Sequence, residues 1–124
     1  MNNDKETLKK EFSKKIYAFV RSLIQFVEAL DKKDPLCKVV SYQIIDSGTG
    51  IGSNYAEAQV SSSRKDFTNY FHYCLRCASE TKFWLYLLRD SKKGNEHELQ
   101  NLLHQLSEIT RIFVSSILTL KDKK

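Results

Sequence analysis

Hydrophobic residues recur along this chain at intervals of three and four positions, the spacing that places them on one face of an α-helix. The pattern predicts four helices, at roughly residues 4–31, 35–61, 64–90 and 96–120. The first helix has an apolar face made of Phe12, Ile16, Phe19, Val20, Leu23, Phe26, Val27 and Leu30. The chain has one proline and four glycines, so little of it suits turns and a few long elements are expected.

Capping residues stand where three of these helices begin. Asp34 precedes Pro35, which suits the first helical position because its missing N–H is not needed there. Ser63 and Asn95 each precede a helix and have an acidic residue three positions later. Short connections favour antiparallel neighbours, so the predicted fold is all-α, an antiparallel up-down-up-down four-helix bundle that forms a single domain over residues 1–124.

The segment Asp46–Ala58 contains Gly48, Gly50 and Gly52 at alternate positions. A dinucleotide-binding loop needs G-x-G-x-x-G between a strand and a helix, whereas here the spacing differs and no parallel-sheet pattern follows. The apolar positions before and after the glycines share one helical phase, which predicts that the glycines lie inside the second helix. Each helical glycine costs roughly 1 kcal/mol relative to alanine. We therefore expect them to permit close approach by a neighbouring helix or chain.

The third predicted helix is apolar on more than one side. Its core face carries Phe67, Tyr70, Phe71, Cys74, Ala78, Thr81, Leu85 and Leu88, and its other side carries Tyr73, Phe83, Tyr86 and Leu87 among charged residues. A helix that is apolar nearly all round is usually buried on several sides. Because a four-helix protein of this size cannot surround one of its own helices, the pattern predicts that a partner subunit covers this one.

Three stretches of sequence carry a resemblance to a known family. They are Ser47-Gly-Thr-Gly-Ile-Gly-Ser-Asn-Tyr-Ala-Glu57-Ala, then Asp66-Phe67, then Ser79-Glu80-Thr with Trp84-Leu-Tyr-Leu-Leu88. In order and spacing, over nearly the whole chain, they resemble the four-helix bundle proteins of the 23S rRNA intervening-sequence family.

The resemblance implies an antiparallel four-helix bundle that assembles as a homopentamer. The family takes its name from open reading frames inside insertions of bacterial 23S rRNA genes. A related branch comprises accessory proteins of diversity-generating retroelements, which are basic pentamers associated with a reverse transcriptase and nucleic acid. The resemblance thus implies a nucleic-acid role, and it implies no catalytic activity. Where the family often has a charged residue followed by Glu-Ala, this chain has Arg76-Cys77-Ala78, which makes the stretch less acidic.

Polar residues near the glycine segment offer the most plausible chemistry. Asn54, Glu57 and Glu80 could bind a metal or transfer protons if they met on facing helices. Di-iron bundles, however, use Glu-x-x-His on two helices, and no glutamate here has a histidine three residues later. We therefore predict that these residues, together with Trp84, have a structural role in fixing helix register or a subunit interface.

The cysteines give little support to metal or redox chemistry. His72, Cys74 and Cys77 contain ligand types, but a zinc site needs four ligands and no second cysteine pair is present. Three cysteines also make a disulfide framework unexpected. The sequence therefore predicts no metal, no cofactor and no catalytic residue.

The charge balance suggests an acidic partner. The formal net charge is +5 and the isoelectric point is near 9.1, and nucleic acid is the commonest partner of a basic protein. Lys10, Lys14 and Arg21 fall on the side of the first helix opposite its apolar face, while Arg64 and Lys65 open the third helix. These five residues are the predicted nucleic-acid-binding set.

The sequence-based hypothesis is a non-enzymatic, cytoplasmic homo-oligomer, a pentamer by resemblance, that associates with RNA or DNA and foremost with structured RNA. The N-terminus is polar and no segment matches a membrane span. The alternative is an oligomeric scaffold or adaptor that binds a protein, with the basic residues merely solvated. A third hypothesis, an enzyme that uses Glu57 and Glu80 or the cysteine pair, predicts a bound metal.

Overall fold

Four helices make up the computed structural model, which describes residues 2–122 and the side chains of residues 4–122. They are α1 (Asn2–Glu28), α2 (Pro35–Gln59), α3 (Arg64–Asp90) and α4 (Glu96–Asp122). The described part of the chain has no strand, and none of its helices is apolar enough over a sufficient length to cross a membrane. The all-α, four-helix prediction is confirmed. The predicted domain of residues 1–124 includes three residues, 1, 123 and 124, that lie outside the described range.

The helix boundaries follow from local hydrogen bonds. The Asp34 side chain accepts a hydrogen bond from the Cys37 backbone N–H at 3.1 Å, and Pro35 occupies the first position of α2. Ser63 caps α3 through the Asp66 N–H, and Asn95 caps α4 in the same way. Helix α1 ends at Glu28, three residues before the predicted end at 31. Beyond it, the Lys32 ammonium donates to the carbonyls of Val27 and Leu30, which satisfies backbone acceptors at the end of α1.

Neighbouring helices run antiparallel. Ser13 of α1 meets Tyr55 of α2, whereas Leu23, further along α1, meets the earlier Gly48. Each helix packs closely against its two neighbours in a closed square, α1–α2–α3–α4–α1, and within residues 2–122 the diagonal helices meet through central side chains such as Tyr55 of α2 and Phe113 of α4. Helices α2 and α3 form the closest pair, and α1 and α4 form the loosest.

The core is a continuous set of side chains from all four helices. An aromatic cluster occupies one half of it, where Phe12, Tyr55 and Phe71 surround Phe113 at centroid distances of 5.0–6.4 Å. The other half is filled mainly by aliphatic side chains, including Leu23, Ile44, Leu85, Leu99 and Leu106. Burying these side chains is the main source of stability for helices whose outer faces are polar.

Candidate nucleic-acid interface and subunit contact surface

The predicted basic residues of α1 form an exposed stripe. Lys10, Lys14 and Arg21 are all exposed, and Tyr17, which lies on the same side, is 68% exposed. None of the three cations forms an ion pair with a described acidic residue, whereas Lys15 pairs with Glu108 of α4. The stripe is about 16 Å long at the helical rise of ~1.5 Å per residue. Its charges are therefore free to meet a polyanion.

The other predicted cations lie where α3 begins, at the same end of the bundle as the start of α1. Lys9 of α1 and Arg64 of α3 line one open cavity of about 500 Å³, together with the serines of the α2–α3 connection, Ser61, Ser62 and Ser63. Arg64 and Lys65 are exposed. The structure thus brings two basic groups that are more than fifty residues apart in sequence to one end of the molecule.

The glycine segment packs tightly on both of its neighbours. A Cβ atom at Gly50 would lie 2.7 Å from the Cys77 sulfur of α3, and one at Gly48 would overlap the Leu23 side chain of α1. At Gly52 the nearest atoms would be 3.9 Å away, which is ordinary contact. Close approach therefore explains two of the three glycines, one toward each neighbouring helix.

The α2–α3 contact has a small polar centre. The hydroxyls of Ser47 and Thr81 are both buried and share a hydrogen bond of 2.8 Å, and Thr81 also lies 2.8 Å from the Cys77 carbonyl. The Asn54 side-chain amide donates to the Gly50 carbonyl at 2.9 Å. It also contacts the Cys77 sulfur of α3 at 3.8 Å. The Ser47–Thr81 and Asn54–Cys77 contacts join the two helices and hold them in register, whereas the other two contacts each lie within one helix.

Glu57 and Glu80 lie on these same two helices but are exposed, and neither forms an ion pair within the described residues. Glu80 borders a shallow cavity with Asn54, Tyr73, Arg76 and Cys77 on the outer side of the α2–α3 contact. Inside the bundle, the hydrogen bond between α2 and α3 is made by the Ser47 and Thr81 hydroxyls, and the role of the two carboxylates in helix register or at a subunit interface stays a prediction.

The cysteines are poor nucleophiles and poor ligands in this fold. Burial raises the pKa of Cys74 to about 12, and its sulfur contacts the Ile51 carbonyl. Burial also raises the pKa of Cys77, and the nearby Glu80 carboxylate adds to the effect. Reactive cysteines instead need electropositive, partly exposed surroundings that lower the thiol pKa. Over residues 4–122 no three His, Cys, Asp or Glu side chains come together in a way that could hold a metal ion.

A second surface, on the outer faces of α2 and α3, is apolar. On α3, Phe83 is 58% exposed, Tyr73 is also exposed, and Tyr86 packs against Arg89. Trp84 is half-buried beside Phe83, and its indole N–H is buried without a hydrogen-bond partner among the described residues. On α2, Val39, Tyr42 and Ile45 are exposed, with Tyr42 at 74%, and Val60, which follows the end of the helix, is exposed as well.

The sequence reasoning placed candidate interface residues on α2 at the glycines, Asn54 and Glu57, but it missed the exposed apolar side chains Val39, Tyr42 and Ile45. The available signal was charge: Lys38, Asp46 and Glu57 are the only charged residues in Pro35–Gln59. A long surface helix with so few charges is typical of one that is covered in an assembly.

A groove between α1 and α4 was also missed. It encloses about 230 Å³ and is lined by Ser22, Gln25, Phe26, Ala29, Glu98, Asn101, Leu102 and Gln105. The sequence signal was the spacing of Asn101 and Gln105, which places two amides on one face of α4, beside Gln25 of α1. We call this the amide groove.

Comparison with known proteins confirms the resemblance. The family model described as 23S rRNA-intervening sequence protein matches residues 9–115. A crystal structure of a protein with unknown function from the S23 ribosomal protein family of Bacteroides thetaiotaomicron VPI-5482 has the same fold, with a TM-score of 0.78 and 29% sequence identity. The superposition covers 88% of this chain and 96% of that one. No curated protein matches the sequence.

Proposed function

We propose that this chain, which belongs to the 23S rRNA-intervening sequence protein family, is a cytoplasmic, non-enzymatic homo-oligomer that associates with structured RNA. The RNA contact is the basic stripe of α1, made of Lys10, Lys14 and Arg21, extended at the bundle end by Arg64 and Lys65. The contact between copies is the apolar outer face of α2 and α3. Five copies form the particle, as the resemblance implies.

The main support for the nucleic-acid contact is the exposure of the α1 cations and their lack of ion pairs with described acidic residues. Lys10, Lys14 and Arg21 are exposed, lie in one row and form no ion pair with described acidic residues. Spacing along one helix face lets a single phosphate backbone meet all three. Five copies of a chain with net charge +5 would together carry about +25, which attracts a polyanion strongly at low salt.

Self-association is supported by the outer faces of α2 and α3. Val39, Tyr42, Val60 and Phe83 each leave more than half of their area exposed. Large apolar patches on one side of a domain mark interaction sites. Because this face and the basic stripe lie on different helices, contact between copies would leave the stripe open to RNA.

The non-enzymatic assignment is supported by the state of the candidate catalytic groups. Glu57 and Glu80 are exposed and form no ion pair within the described residues, and the pKa values of Cys74 and Cys77 are raised rather than lowered.

The test is equilibrium binding of nuclease-treated protein to structured ribosomal RNA fragments across a salt series. We expect log Kd to depend linearly on log salt concentration, as counterion release requires. The triple variant K10Q/K14Q/R21Q should bind more weakly, and its slope should fall by about 0.7–0.9 for each phosphate that the variant no longer neutralises. Light scattering should give the same particle mass for both proteins.

The matched control is K33Q/K92Q/R111Q, which removes the same charge from exposed positions outside α1 and outside the apolar faces of α2 and α3. Equal weakening by both triple variants would mean that only net charge matters. Binding that the α1 variant leaves unchanged would remove the stripe from the proposal. Binding that is weak and equal for all fragments at about 150 mM salt would favour the protein-binding scaffold instead.

A further inference from the structure

We infer that the amide groove between α1 and α4 binds one unpaired nucleobase of the RNA, and that it prefers a base with an exocyclic amino group. This inference rests on the proposed function, because it names the part of the RNA that is recognised beside the phosphate contacts. In this arrangement the basic stripe positions the RNA through its phosphates, and the groove discriminates between bases.

The groove contains the chemistry that reads base edges. Its walls offer the side-chain amides of Gln25, Asn101 and Gln105, each of which can both donate and accept hydrogen bonds. Within the described residues the amides of Gln25 and Gln105 have no hydrogen-bond partner, and Asn101 has only a 3.5 Å contact with His97. Side-chain amides that form no bond within the protein are available to a ligand.

The charge of the groove excludes phosphate and favours an amino group. Glu98 is the one charged residue among the described residues that line it, and its carboxylate has no ion-pair partner there. A carboxylate repels phosphate but accepts hydrogen bonds from the amino groups of cytosine and adenine. Uracil has no such group, so it is the base that the groove should discriminate against.

The shape of the groove suits a single planar group. Phe26 and Leu102 close its base and are nearly completely buried, and Ala29 is the exposed apolar residue that lines it. Its volume of about 230 Å³ lies below the range of ~300–1,000 Å³ that is usual for drug-sized ligands and cofactors. An unstacked base has an apolar face and polar edges, and RNA-binding proteins commonly bind such bases in loops and bulges.

The groove directly adjoins the basic stripe. Lys14, Arg21 and Gln25 are separated by seven and four residues, so they lie along one face of α1. Gln25 is the last of the three and belongs to the groove wall. A strand whose phosphates contact Lys14 and Arg21 would therefore bring its next nucleotides to the opening of the groove.

The experiment measures binding of the full-length protein to three RNA hairpins with one common stem and loops of adenines, cytosines or uracils. We expect the wild type to bind the adenine and cytosine loops about tenfold more tightly than the uracil loop. In E98Q/N101L this preference should fall below about twofold, while the uracil loop binds at least as tightly as it does to the wild type, because a carboxylate that repels phosphate is gone, and the salt slope stays the same. Helix content and melting temperature, measured by circular dichroism, would show that the variant is folded.

The matched control is Q100L, which changes an exposed amide of α4 outside the groove and should keep the tenfold preference. Equal affinity of the wild type for all three loops, or a preference that survives in E98Q/N101L, would overturn the groove assignment. In either case a reduced salt slope for K10Q/K14Q/R21Q would leave the proposed function standing. A protein that binds none of the hairpins would overturn both.

Discussion

Gly48 of α2 faces Leu23 of α1 so closely that a Cβ atom at Gly48 would overlap Leu23 Cδ2, and the leucine side chain would have to shift to admit it. Both residues are buried, and Leu23 is 1% exposed. Gly52, one turn further along α2, approaches the same helix with its nearest neighbours at 3.9 Å. Two glycines of one segment thus meet the same helix at different distances.

The first prediction compares alanine at these two positions. Gly48→Ala should lower the free energy of unfolding by about 1 kcal/mol, because overpacking costs ~1–3 kcal/mol and better helix propensity returns about 1 kcal/mol. Gly52→Ala should raise it by up to about 1 kcal/mol, since the methyl group has room. Urea denaturation measures both, and equal stability of the two variants would contradict the packing account.

The second prediction concerns the hydroxyl pair between α2 and α3. Thr81→Val should destabilise the protein by about 1–3 kcal/mol, because it leaves the buried Ser47 hydroxyl without its 2.8 Å partner. The double variant S47A/T81V should lose less than the sum of the two single variants, since no polar group is then left unpaired. Additive losses in denaturant titrations would show that the hydroxyls do not act as a pair.

The third prediction concerns acid stability. A hydrogen bond from Lys93, 2.5 Å away, lowers the pKa of Asp34 below its ordinary value of 3.8, and the Cys37 backbone N–H lowers it further. Because the folded state favours the ionised form, this stabilisation is present above the unfolded pKa and is lost as pH falls through the lowered folded pKa.

Asp34→Asn keeps a capping side chain but removes the charge. The variant should melt at a lower temperature than the wild type at pH 7, and the difference should vanish near pH 2. Lys93→Gln should behave in the same way, and Lys92→Gln, a neighbouring exposed position, should not. A melting-temperature difference that is constant from pH 7 to pH 2 would rule out the ion pair as the cause.

The fourth prediction concerns thiol reactivity. With its pKa raised by burial to about 12, Cys74 should resist iodoacetamide at pH 8 until the protein unfolds. Cys77, half-buried and with a raised pKa, should react more slowly than free cysteine. Mass spectrometry of peptides labelled with and without urea gives both rates. Rapid labelling of Cys77 in the native protein would reopen the possibility of redox chemistry.

The fifth prediction tests the contact between copies. Tyr42→Glu places a charge on the apolar face of α2 and should reduce the particle mass measured by light scattering. Leu118→Glu is the control, because Leu118 is 58% exposed but lies on α4, outside that face. A wild-type mass of 14.4 kDa would contradict self-association altogether, and equal effects of the two variants would move the contact away from α2.

The sequence by itself determined the helices, their caps and the family. Periodicity of apolar residues reports which face of a helix is buried, so the helices and the continuity of α2 through its glycines could be predicted locally. Caps such as Asp34 and Ser63 act within four residues of their own position, so they too are visible in the sequence. The exposed cations of α1 were predicted by the same periodicity.

Tertiary structure decided which residues meet. The sequence could not assign Gly48 to Leu23 of α1 and Gly50 to Cys77 of α3, because the choice depends on how the helices are rotated against each other. The same rotation pairs Ser47 with Thr81, leaves Glu57 and Glu80 exposed, and forms the amide groove between helices at opposite ends of the chain. Periodicity gives the buried side of a helix but not the neighbour that buries it, and only packing among all four helices settles that choice.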